Sequence, residues 1–140
     1  MEFIETDSAP LPAGHYSQAV VVNGLVFVAG ILPIAPNSDR RIPDGIAAQA
    51  QQALDNLRAI LQVANSGLDQ LVSVQLFIPS IETWGAVNDV YRHALGSHKP
   101  ARTVIPCGPL HYGALIEINA VAAVSSSQTT SNTGQGRAAG

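Results

Sequence analysis

The sequence predicts an α+β domain in which one mixed β-sheet carries two helices on a single face, with elements in the order ββαβαββ. Three observations predict it: two β-branched runs joined by Asn23-Gly24, two segments with apolar residues at helical spacing, and apolar strand-like runs flanking those segments. Each strand–helix–strand crossover normally places its helix on the same side of the sheet, so both helices share one face.

Ala19-Val-Val-Val22 and Leu25-Val-Phe-Val-Ala29 read as antiparallel strands, because Asn-Gly readily takes the positive φ angles of a tight turn. Prolines at 33, 36 and 43 make Ile31 to Pro43 a loop. Asp44 is a candidate N-cap for a helix from about Gly45 to Ala64, with Ile46, Ala50, Ala53, Leu54, Leu57, Leu61 and Ala64 as its stripe and Gly67 as terminator. Leu71 to Ile78 follows as a strand. A second helix, about Ile81 to Leu95, carries Trp84, Val87, Val90, Tyr91 and Leu95 on one side and stops at Gly96. Arg102 to Ile105 is a short strand, and Ala114 to Val124 is expected to be the last and longest. Residues 1–124 make one domain. The Ser/Thr/Gly-rich stretch 125–140 has no apolar periodicity and reads as a disordered tail.

The 140 residues suffice for one core and are too few for two ordinary domains. The composition is 46% hydrophobic and only 12% charged, and both faces of the sheet look apolar, so the face without helices is expected to meet another copy of the chain. A formal charge of −3 argues against nucleic acid as the partner. The longest apolar stretch is broken by Gly30 and Pro33 and is too short for a membrane span. The acidic N-terminus lacks a secretory pattern, and one cysteine, Cys107, fits a reducing compartment, so the expected location is cytoplasmic. The four histidines show no metal-ligand spacing, and no metal site is expected.

From Arg102 to Arg137 the only formally charged side chain between them is Glu117, within an apolar strand. A carboxylate there needs a partner or a task. Glu117 could position a water for attack on a carbonyl-like carbon, or it could be a solvated carboxylate at a sheet edge. It shares a face with Leu115, Asn119 and Val121, opposite Ile116, Ile118 and Ala120, which places it on the side away from the helices. Arg102 could grip a substrate carboxylate with its planar fork, or serve as a structural bridge. Tyr16, in the polar run Gly14-His-Tyr-Ser-Gln18, could cap a pocket or merely pack. Asn88, one turn after Trp84, could reach a neighbouring subunit or stay solvated.

Gly14-x-Tyr16-Ser-Gln-Ala-Val, Asn23-Gly-Leu-Val-Phe-Val-Ala-Gly30, Ala47-Ala-Gln-x-x-Gln-Ala-Leu-Asp-Asn-Leu57, Ala86-Val-Asn-Asp-Val-Tyr91, Lys99-Pro-Ala-Arg-Thr103 and Ile116-Glu-Ile-Asn-Ala120 together resemble the RidA/YjgF/UK114 family, from about Ala9 to Val124. The resemblance implies a chorismate-mutase-like homotrimer with clefts between subunits. It implies hydrolysis of reactive enamine or imine acids such as 2-aminoacrylate to a 2-keto acid and ammonia, without a cofactor. Carried over, Arg102 binds the substrate carboxylate, Glu117 positions the water, and Tyr16, Gly30, Asn88 and Val104 line the cleft. Three positions depart from the family: Ala29 replaces a serine, Ile31 a glutamine and Val104 a cysteine. They make the cleft more apolar and point to a bulkier substrate, or to a member that binds keto or imino acids without turnover. A ribonuclease role, also attached to the family, fits poorly with the acidic charge.

Overall fold

The computed structural model describes residues 1–125. Eight main elements follow in order: β1 (Glu2–Ile4), β2 (Ala19–Val22), β3 (Leu25–Ile31), α1 (Ile46–Val63), β4 (Leu71–Ile78), α2 (Trp84–Leu95), β5 (Ala101–Pro106) and β6 (Glu117–Ala123). The strands form a six-stranded sheet in the order β1-β2-β3-β6-β4-β5. β6 lies antiparallel to both β3 and β4, so α1 crosses over it, and α2 joins the parallel neighbours β4 and β5. The result is the mixed sheet with both helices on one side that the apolar patterns predict.

The hairpin forms as expected, with Asn23 at φ 53° and Gly24 at φ 76°, the paired positive angles of a type I′ turn. Three features differ from expectation. β1 is an added strand: its three residues pair with β2 but are too few to show a period. β6 begins at Glu117 rather than Ala114, because the Leu115 amide is taken by the Gln49 side chain at 2.8 Å instead of a strand ladder. β4, at eight residues, is therefore the longest strand. The ends of α1 also differ. Gly45 rather than Asp44 is the N-cap, with no side-chain cap bond. At the other end Asn65, at φ 59°, takes the left-handed position; its amide meets Gln62 O and the Ser66 amide meets Leu61 O. That pair of bonds is a Schellman close, for which asparagine is an adequate substitute for glycine. Gly67 is simply extended.

Leu54, Leu57 and Leu61 of α1 and Val87 of α2 pack onto Val26, Val74, Leu76, Ile116 and Ile118, all fully or nearly fully buried. The opposite face of the sheet presents Phe3, Val20, Phe27 and Val121 in one row, with Phe3 67% and Phe27 45% exposed. Among the described residues no helix is long and apolar enough to cross a membrane. Of the expected tail, 126–140 lies outside the described residues, and Ser125 itself donates its amide to Asn65 O at 2.8 Å.

Asn56 is a polar residue that the helical stripe does not reveal. It is buried in α1, donates to Leu32 O at 3.1 Å and Ile34 O at 2.9 Å, and accepts from Gln52. It thereby fixes the chain leaving β3. Asn56→Ala removes the donor from the buried Ile34 carbonyl and the half-buried Leu32 carbonyl and is expected to destabilise the fold by about 2–4 kcal/mol. A thermal melt should show a midpoint lowered by on the order of 10 °C.

Candidate active site

The residues singled out from sequence gather in two groups. The first forms where edge strand β5 meets α2. Arg102 pairs in register with buried Val74, and Val104 with Leu76, so both side chains lean to the helix-bearing side of the sheet. α2 presents Trp84, Asn88 and Tyr91 at spacings of four and three, one helical face. The Arg102 guanidinium lies between two rings, 4.6 Å from the Trp84 centroid and 4.8 Å from that of Tyr91, and donates to Asn88 Oδ1 at 3.0 Å. Cation–π contact on two sides holds the planar group in one orientation without neutralising it. Among the described residues the ion pairs are Arg58–Asp55 and Arg92–Asp89, and neither involves Arg102.

Burial raises the Tyr91 phenol above its ordinary pKa, with the Arg102 charge pulling the other way. The ring that backs the guanidinium therefore stays neutral in ordinary buffers. A cleft of about 400 Å³ adjoins this group, bordered by Asn88, Tyr91, Lys99 and Arg102. Its chemistry suits an anion.

The second group forms around β3. The register between β3 and β6 slips between Val28 and Ile31, and Gly30 sits in that irregularity. Glu117, opposite Phe77 on the face away from the helices, lays its carboxylate across the Gly30 backbone. A Cβ at Gly30 would overlap that carboxylate and come within 3.1 Å of Glu117 Cδ, so glycine is what permits the approach. Gly30, Ala29, Ile31 and Tyr16 line a cavity of about 320 Å³. Its outer wall, Pro10 and Leu11, is tied down by buried Gln18, which accepts from the Thr6 amide at 2.7 Å and donates to Pro10 O at 2.8 Å.

Arg102 thus meets Asn88, with Val104 on the same face of β5, whereas Glu117 meets Gly30, whose cavity Tyr16 also lines. The two groups occupy opposite faces of the sheet, and one chain does not bring Arg102 to Glu117. Trp84 and Tyr91 were legible as an apolar stripe but not as the slot for a guanidinium; their shared face with Asn88 is the signal. Arg40, His111 and Tyr112, which also line the cavity around Gly30, carry no sequence signal, because loops distant in the chain bring them there. Among the described residues no three His, Cys, Asp or Glu side chains gather in a way that could hold a metal ion.

The family model described as Endoribonuclease L-PSP matches residues 6–124. The RutC family protein UK114 of Drosophila melanogaster is 36% identical over 128 residues, 91% of this chain and 93% of that protein. The 2-iminobutanoate/2-iminopropanoate deaminase of Rattus norvegicus is 36% identical, over 85% of this chain and 87% of its own length. Among solved structures, E. coli TdcF with bound serine superposes with a TM-score of 0.85 at 29% identity, covering 89% of this chain and all of that one. With nearly the whole described fold matched, the chain belongs to the Endoribonuclease L-PSP family, the group that holds the RidA and UK114 proteins.

Proposed function

We propose that this chain is a hydrolytic deaminase that converts reactive enamine and imine acids to 2-keto acids and ammonia, and that it works as a homotrimer. The carrying observation is the pair of complementary groups: a guanidinium held in an aromatic slot, and a carboxylate laid across a glycine. The name of the rat relative supports the reaction type. The serine in E. coli TdcF supports a small ligand bearing a carboxylate. Because the groups lie on opposite sheet faces, a complete site needs the Arg102 group of one subunit and the Glu117 group of the next. The exposed row Phe3, Val20, Phe27 and Val121 supplies apolar area for such an assembly.

In this reading Arg102 grips the substrate carboxylate through two parallel hydrogen bonds. The enamine tautomerises to the imine, whose C2 is electrophilic. Glu117 accepts a proton from a bound water as the water oxygen bonds to C2, giving a tetrahedral carbinolamine. Glu117 returns that proton to the nitrogen and then relays the hydroxyl proton after it, so that the nitrogen leaves as ammonia when the C–N bond breaks and the remaining oxygen closes to the keto group. No cofactor is required, and orientation supplies much of the acceleration. Ala29, Ile31 and Val104 favour a substrate larger than 2-aminoacrylate.

Imino acids generated in place by an amino-acid oxidase test the reading directly. Keto acid and ammonia should appear at least about tenfold faster than in buffer for part of the panel. Saturable keto-acid binding with no faster ammonia release would instead identify a non-catalytic binder or regulator.

A further inference from the structure

The wall of the Gly30 cavity also includes a cation, Arg40. Arg40, in the loop after β3, and Tyr112, in the turn before β6, both hold left-handed backbone angles, φ 54° and 61°. Side chains of this size adopt that region seldom, and such positions persist where the surroundings fix them. Here each fixes the other: Arg40 Nη1 donates to the Tyr112 hydroxyl, and its guanidinium carbon lies 5.4 Å above the Tyr112 ring. Both line the cavity that contains Gly30, as does His111. The same wall includes Ile31, Leu32 and Ile34.

Arg40 forms no ion pair among the described residues; its partner is a neutral phenol. A largely apolar cavity with Gly30, against which the Glu117 carboxylate lies, in one part of its wall and an unneutralised guanidinium in another selects a ligand of matching polarity. That ligand has a reactive head, a short apolar arm and an anionic end.

We propose that the Arg40–Tyr112 pair is an anion subsite, so that the preferred substrates are 2-imino dicarboxylic acids whose second carboxylate reaches Arg40. The position of the imine rests on the deaminase reading above, whereas the subsite itself does not. Hydrolysis proceeds as described, and the distal carboxylate takes no part in bond making.

The test compares 2-iminoadipate with 2-iminohexanoate, equal in carbon number and different in the terminal charge, each formed in place from its amino acid. For the wild-type protein the kcat/KM ratio should favour the diacid by at least about tenfold, the scale of a charge-assisted hydrogen bond. In Arg40→Ala the ratio should fall towards one. Arg40→Gln, which keeps a donor for Tyr112 but not the charge, should behave alike and guards against a folding defect in the first variant. Calorimetric binding of 2-ketoadipate and 2-ketohexanoate runs alongside. Diacid binding that depends on Arg40 without any turnover would preserve the subsite and sink the deaminase reading. Equal handling of both acids by the wild-type protein, in turnover and in binding, would overturn the subsite.

Discussion

Arg102→Ala is expected to lower kcat/KM for imino acids by about 10²–10³-fold, the factor that accompanies loss of about 3–4 kcal/mol from a paired, hydrogen-bonded charge. Arg92 and Lys99 also border the cleft, but Arg102 is the cation held against Trp84, Tyr91 and Asn88 of α2. Arg102→Lys should fare little better. An ammonium has no plane to stack between Trp84 and Tyr91 and no fork to match a carboxylate. The fold should survive both changes, since Arg102 is exposed on the edge strand and meets the core only at its rim, through Trp84 and Tyr91. Steady-state kinetics, with a thermal melt and a sizing column as controls, decide the matter. Near-normal turnover by a folded Arg102→Ala protein would remove the carboxylate clamp from the mechanism.

The fold was legible where local chemistry and tertiary demand agree. Asn23-Gly24 needs positive φ angles and receives them, and the leucines of α1 recur at the period that packing requires. Legibility failed where a distant group decides a local outcome. Gln49 takes the Leu115 amide and so delays the start of β6, whereas at the end of α1 the miss is local, with Asn65 rather than the nearby glycine closing the last turn. The site divides in the same way. Arg102, Asn88, Glu117, Gly30 and Tyr16 were all nameable from the sequence, and alternation along β6 placed Glu117 on the side away from the helices. The face of Arg102 was not nameable, because it depends on the parallel register of β5 against β4. Arg40 and Tyr112 meet across 72 positions of sequence, a pairing no local pattern encodes.

That opposition of faces yields a second large effect. Arg102→Ala and Glu117→Ala proteins should each be nearly inactive alone, yet a mixture unfolded and refolded together should regain activity. In a cyclic assembly each cleft draws its arginine group from one subunit and its glutamate group from the neighbour. With random assortment, about one quarter of clefts then receive both intact halves. The regained activity should therefore approach about a quarter of the wild-type value per subunit, with an unchanged KM, because the restored clefts are wild type in composition. Simple mixing without subunit exchange should restore nothing, which separates assembly from contamination. If Arg102 and Glu117 served one site within a single chain, every site in the mixture would carry a defect and no ratio of the two proteins would recover turnover. Failure of the refolded mixture, with each variant shown to assemble normally, would therefore refute a shared cleft and with it the hydrolysis assigned to these residues.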